Sequence, residues 1–294
     1  MKAFLFPGQG AQFIGMGKSL MENDNTRQQL LSANEILGFD IADIMQNGSE
    51  EDLRQTRVTQ PAIFLHSVIT AQLKMNAQEA QAVAGHSLGE FSALVAAGAL
   101  SFEDGLKLVY QRAMAMQAAC EANEGTMAAV MCNDLTLVEN ACQTVSANGA
   151  VVVAANYNNP GQLVISGSKD GISQASALLS TQGAKIIPLV VGGAFHSPLM
   201  RSAELDLQKA IENTRFNAPF CPIYQNVDAS PTQDVETIKT KLCQQLTAPV
   251  RWQQSIENML AAGYNSFVEV GGRGNILLGM VKKINRTVNM EMLS

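Results

Sequence analysis

The stretch Gly85-His86-Ser87-Leu88-Gly89-Glu90 constrains this chain more than any other. Gln81-Ala82-Val83-Ala84 before it reads as a short buried strand, and Glu90-Phe91-Ser92-Ala93-Leu94-Val95-Ala96-Ala97 after it reads as a helix. A strand turning straight into a helix around Gly-x-Ser-x-Gly is a nucleophile elbow. The glycines remove side chains that would collide where the chain doubles back, and glycine tolerates the strained backbone. The serine hydroxyl then projects at a helix start, where unpaired N–H groups can stabilise an oxyanion. Ser87 is the candidate nucleophile; the plainer reading is a tight turn carrying a surface serine.

A serine hydroxyl is a poor nucleophile without a base. The chain has three histidines. His66 lies in the apolar helical stretch Ala62–Ile69 and reads as structural. His86 adjoins Ser87, but neighbours on a sharp turn diverge, so it is expected to brace the elbow. His196 follows Val190-Val191-Gly192-Gly193-Ala194-Phe195, read as a strand ending in a glycine-rich loop. That is a usual place for a catalytic base, and His196 takes the role; alone it would read as a loop histidine.

Near the N-terminus an apolar strand, Met1–Phe6, runs into Pro7-Gly8-Gln9-Gly10-Ala11-Gln12. Gln9 or Gln12 could offer amide N–H donors beside the elbow; otherwise this is an ordinary strand-to-helix turn. Residues from Ser101 to Ala118 read as a helix opened by a Ser101/Asp104 capping box. On it Arg112 shares a face with Leu108, Val109 and Met116. A guanidinium there keeps its charge and needs an anion. A protein carboxylate, a substrate carboxylate, or escape of the head group to solvent would each answer that need.

Several of these segments together resemble one family. They are Phe6–Gln12, Gly85–Phe91, Gly193–Ser197, Asn158–Gly167 and Gln245–Trp252, in the family's order along residues 2 to about 284. The family is the malonyl-CoA:acyl carrier protein transacylases of type II fatty acid synthesis. The resemblance implies that Ser87 carries the malonyl ester and that His196 is its base and later acid. It implies an oxyanion hole from Gln9 and the Leu88 N–H, and a malonyl carboxylate held by Arg112 in Tyr110-Gln111-Arg112-Ala113. It implies that the Gln245 main-chain carbonyl orients the histidine, and that Met116 and Phe195 lie against substrate, Phe195 in the pattern tied to malonyl selection. No permanently bound cofactor or metal is implied; malonyl-CoA is substrate and holo acyl carrier protein the partner of a monomer. Two departures stand out: Gly271-Gly272-Arg273-Gly274 where the family usually has Gly-Pro-Gly, and Ala11 for a commoner serine.

Other readings are a stand-alone acyltransferase serving polyketide carrier proteins, a serine hydrolase, and a non-catalytic scaffold for acyl carrier protein. A hydrolase needs a carboxylate between Ser87 and His196 in chain order. Asp134, Glu139 and Asp170 fall there, on expected helix starts or exposed faces. A hydrolase also has no use for Arg112, and a scaffold none for Ser87, His196 and Arg112 together.

Residues 1–124 alternate apolar strands and helices, which suggests an α/β core. From Gly125 the order becomes strand Thr126–Met131, helix Leu135–Val145, strands Val151–Ala155 and Gln162–Ser166, helix Gly171–Thr181 and strand Lys185–Val191. That order predicts a ferredoxin-like unit. The expected fold is therefore α/β: an α/β-hydrolase-like core with a parallel sheet (residues 1–124 and 192–294) and an inserted ferredoxin-like small domain (125–191). Strands near Pro222–Tyr224 and Ser266–Val270 should complete the large domain, with the site in the cleft between the two.

Net charge is −6, which argues against general nucleic-acid binding. An acidic carrier protein would need a local basic patch, and Lys282, Lys283 and Arg286 with Arg251 are candidates; a solvated helix end explains them as well. The five cysteines form no C-x-x-C pair and read as free thiols of a reducing cytoplasm. No apolar run reaches membrane-spanning length.

Overall fold

In a computed structural model describing residues 1–294, ten strands form two sheets. In chain order they are β1 (Lys2–Phe6), β2 (Ala82–Gly85), β3 (Gly125–Met131), β4 (Val152–Asn159) and β5 (Gln162–Ser168). Then come β6 (Lys185–Pro188), β7 (Ile223–Tyr224), β8 (Pro231–Thr232), β9 (Ser266–Val270) and β10 (Asn289–Leu293). The larger sheet has the order β10-β9-β1-β2-β7-β8, parallel throughout except for the β7–β8 pair. The chain is a mixed α/β protein with a parallel sheet and flanking helices.

The centre of this sheet is buried on both faces, as parallel sheets are. Successive strand side chains alternate between faces. Phe4 and Phe6 of β1 join the main apolar core, while Ala3 and Leu5 join a second core around Trp252 and Ile256. The helix Thr56–Lys74 crosses the main core and is buried from Val58 through Ala71. The helix Phe102–Ala122 packs beside it, with Ser101 as N-cap accepting from the Asp104 N–H at 3.0 Å.

The smaller sheet has the order β4-β5-β3-β6 and is antiparallel throughout. Helices Leu135–Ala147 and Lys169–Thr181 complete a β-α-β-β-α-β order. Alternation again decides what each face meets. Ala128 and Val130 of β3 pack among those helices, whereas Met127 and Ala129 belong to the main core of the molecule. The face of the small sheet away from its own helices thus packs onto the rest of the molecule, with β4 against the helices Trp252–Ala261 and Ile276–Ile284. A cleft lined by Met127 and Asn156 holds Ser87 and His196.

The strand expected over Lys185–Val191 stops at Pro188. The Leu189 N–H still reaches the Met127 carbonyl at 3.0 Å, but the Val191 N–H folds back onto the Leu189 carbonyl at 3.1 Å. That turn sends the chain into the cleft, so His196 follows an irregular loop rather than a strand end. β4 runs further than expected, to Asn159, with register shifts on the way. The edge strand β10 has no counterpart in the sequence reading. No helix is long and apolar enough to cross a membrane.

Candidate active site

The elbow leaves no room for anything but glycine at its flanks. A Cβ on Gly85 would lie 1.9 Å from the Gly89 carbonyl carbon, and one on Gly89 would lie 1.9 Å from the Phe6 carbonyl oxygen. Between them Ser87 adopts φ +53°, a left-handed conformation that non-glycine residues rarely take. Asn226 fastens the turn: its Nδ2 donates to the Gly85 carbonyl at 2.6 Å and its Oδ1 accepts from the Ser87 N–H at 2.7 Å. The next residue, Leu88, lines the cleft, and no hydrogen bond of the turn engages its N–H.

The Ser87 Oγ lies 2.8 Å from Nε2 of His196. The other ring nitrogen, Nδ1, is 2.9 Å from the Gln245 main-chain carbonyl. A carbonyl only accepts, so Nδ1 carries the proton and the Nε2 lone pair faces the serine hydroxyl. His196 is 3% exposed. Burial, then the nearby Arg112 charge, pull its pKa down to about 3. It is therefore neutral at physiological pH, as a base must be.

Arg112 is 1% exposed, which rules out escape to solvent. It makes no ion pair either. Nη1 donates to Gln60 Oε1 at 2.7 Å; Nη2 donates to Ser87 Oγ at 3.0 Å and to Gln245 Oε1 at 3.1 Å; Nε has no partner. The nearest protein carboxylate, Glu90, reaches it only through the Gln245 amide, so no carboxylate of the chain contacts the guanidinium directly. A buried cation whose direct acceptors are all neutral is costly, and an anion in direct contact relieves that cost.

Gln9, Leu88, Met116, Phe195 and Asn156 line the same cavity of about 120 Å³ as Ser87, His196 and Arg112. All eight residues expected at the site thus converge, since Gln245 touches both the histidine and the arginine. Gln12 does not join them: its Oε1 accepts from the Gly10 N–H at 2.9 Å on the far side of the loop. A larger groove of about 830 Å³ between the helices Phe102–Ala122 and Arg201–Glu212 holds no serine–histidine pair.

The remaining sequence candidates lie as their surroundings require. His66 Nδ1 accepts from the Gly272 N–H at 3.0 Å, and His86 pairs with Asn158 Oδ1 at 2.9 Å. Asp134 caps a helix, Glu139 accepts from the Tyr157 hydroxyl, and Asp170 accepts from Gln174. None reaches His196, whose Nδ1 is already occupied. Arg251 Nε donates to the Val227 carbonyl at 3.1 Å and its guanidinium lies over Tyr157. In the departure at 271–274, Gly271, Gly272 and Gly274 all take positive φ.

The acyl transferase domain family matches residues 3–291. The chain belongs to that family. It is 42% identical over 295 residues to the malonyl CoA-acyl carrier protein transacylase of Bacillus subtilis, covering 99% of this chain and 93% of the relative. An acyl-carrier-protein S-malonyltransferase structure from Bartonella henselae superposes with TM-score 0.94 at 38% identity, covering 99% of this chain and 95% of that one. A malonyl-transacylase solved with its type II PKS acyl carrier protein superposes with TM-score 0.92 at 35% identity, covering 99% and 94%.

Four polar residues of this acyl transferase site escaped the sequence reading: Gln60, Glu90, Asn226 and the side chain of Gln245. Each is almost fully buried. Gln60 precedes the apolar run Pro61-Ala62-Ile63-Phe64-Leu65 and Glu90 opens the apolar helix Gly89–Ala96, and neither position marks burial by itself. Asn226 follows a two-residue strand, and nothing local marks it.

Proposed function

We propose that this acyl transferase moves a malonyl group from malonyl-CoA to the phosphopantetheine thiol of acyl carrier protein, through a malonyl ester on Ser87, for fatty acid synthesis. The observation that carries the reading is Arg112: a buried guanidinium with no carboxylate partner, 3.0 Å from the nucleophile. A carboxylate on the acyl chain supplies the missing anion, and Arg binds carboxylates through paired N–H bonds. Acetyl-CoA brings none.

The chemistry follows from the hydrogen bonds. Ser87 Oγ attacks the thioester carbonyl while His196 Nε2 takes its proton. The tetrahedral oxyanion meets the Leu88 N–H and Gln9. Collapse breaks the C–S bond, and the proton on Nε2 passes to the leaving CoA sulfur. The carrier thiol then attacks the ester, giving its proton to His196, which returns it to Ser87 Oγ. The main-chain carbonyl of Gln245 holds the ring and stabilises its charged form throughout. Met116 and Phe195 line the acyl space.

The segment 125–191 is, in this reading, an inserted ferredoxin-like domain on an α/β-hydrolase-like core of residues 1–124 and 192–294. The strand order β4-β5-β3-β6 and the β-α-β-β-α-β sequence support it. Five unpaired cysteines fit a reducing cytoplasm.

Intact-protein mass after brief incubation with malonyl-CoA tests the function. Wild type should gain one malonyl group, Ser87→Ala none, and holo acyl carrier protein should clear the adduct. A wild type that stays unmodified, or an adduct that water clears as fast as the carrier does, sinks the transferase reading.

A further inference from the structure

Two opposite charges lie buried beside Ser87 without touching. Glu90 is 0% exposed and Arg112 is 1% exposed. The side-chain amide of Gln245 stands between them. Its Oε1 accepts from Arg112 Nη2 at 3.1 Å, and its Nε2 donates to Glu90 Oε2 and to the Ser87 carbonyl, both at 3.0 Å. A guanidinium only donates; a carboxylate and a carbonyl only accept. The amide therefore has one compatible orientation.

The other neighbours of Glu90 are donors as well. The Asn226 N–H lies 3.1 Å from Oε2, and Gln225 Nε2 lies 2.9 Å from Oε1. The same Gln225 nitrogen donates to the Ile238 carbonyl at 3.1 Å, which identifies it as the amide NH₂. A carboxyl surrounded by donors alone is arranged for its ionised form. Its position in the first turn of the helix Gly89–Ala96 favours the same charge. Gln245 meanwhile holds His196 with its main-chain carbonyl. One residue thus serves the base with its backbone and the arginine with its side chain, and the two tasks are separable.

We propose that the Gln245 side chain, held in one orientation by Glu90, is a positioning residue for acyl-group selection that aims Arg112 at the carboxylate of the acyl donor. The inference rests on the malonyl-transfer reading and deepens it. Without the amide carbonyl, Nη2 keeps only the serine hydroxyl as acceptor and the guanidinium loses one of its fixed points.

The test is the ratio of kcat/KM for malonyl-CoA to that for acetyl-CoA. Gln245→Met keeps the main-chain carbonyl and removes the amide. Both donors should slow, with malonyl falling at least tenfold further than acetyl and KM carrying most of that difference. Glu90→Gln should lower the ratio several-fold in the parent protein and leave it unchanged in the Gln245→Met background, because Glu90 acts through that amide. Gln245→Asn, one methylene shorter, carries the same test if the methionine variant does not fold. A ratio that Gln245→Met leaves intact overturns the proposal. Equal effects of Glu90→Gln in both backgrounds, or parallel losses for both donors, overturn it too. Failure of wild type to accept malonyl would instead strike the function itself.

Discussion

Acidification should destabilise this protein well before it silences the active site. His66 and His196 are 2% and 3% exposed, and burial is the leading cause drawing their pKa values down, to about 4 and about 3. In the unfolded chain both titrate near 6.5. Above that pH both are neutral in either state and cost nothing. Below it the unfolded chain takes up protons that the folded chain refuses, so stability falls as pH falls, until the folded values are passed. At pH 5 each group sits about 1.5 units below its unfolded pKa, and about 1.36 kcal/mol per unit gives about 2 kcal/mol for each. The pair removes about 4 kcal/mol from a total that is typically about 5–15 kcal/mol. Glu90 and Glu269, raised by burial, act in the opposite sense by binding protons earlier in the folded state. A comparison with His66→Gln cancels their contribution. Urea unfolding followed by fluorescence of Trp252, the single buried tryptophan, supplies the assay. Between pH 7.5 and 5 wild type should lose about 2 kcal/mol more than the variant. Identical pH dependence in the two proteins would refute the buried neutral His66. Over the same range the rate of Ser87 acylation per folded molecule should stay flat, because His196 remains an unprotonated base.

Arg112→Ala should cut malonyl kcat/KM by about 10²–10³-fold, the cost of about 3–4 kcal/mol for removing one partner of a buried charged contact, and shift preference toward acetyl. Competition between the two CoA esters reads this directly, and a parallel loss of both would remove the clamp. His196→Ala should slow single-turnover acylation by on the order of 10²–10⁴-fold; an unaltered rate would return the base to another group. Gly85→Ala should cost more than about 4 kcal/mol, because its Cβ meets backbone atoms that cannot move aside. A soluble variant with wild-type thermal midpoint would contradict the elbow geometry.

The elbow was legible because its requirement is local: two glycines and a serine state the turn without reference to the rest of the chain. The order of strands and helices after Gly125 was legible for the same reason, through alternation and helical spacing. His196 emerged by elimination among three histidines. Spacing left Arg112 with three possible answers, and burial removes only the escape to solvent. Asn226 and the Gln245 side chain stayed hidden because their work depends on partners 139 and 133 residues away in sequence, Ser87 and Arg112. The strand over 185–191 was drawn too long because Leu189-Val190-Val191 has strand composition, yet Val191 turns back on Leu189. The edge strand β10 was overlooked although Thr287-Val288-Asn289-Met290-Glu291-Met292 alternates polar and apolar residues, the pattern of a strand.

The place of β1 has a consequence for synthesis on the ribosome. This strand lies between β2 and β9, pairing Ala3 with Ala82 on one side and with Phe267 on the other. The first segment to emerge therefore waits for one of the last. Synthesis runs at about 5–20 residues per second, so the interval is tens of seconds at the slower rates. Throughout it one edge of an apolar strand is open to other chains. The residues that carry the chemistry share this delay, since His196 and Gln245 also arrive late. The nascent polypeptide should be a client of holding chaperones until the β9 segment is released, and any lesion that stops translation before Ser266 should yield aggregate rather than a weakened enzyme.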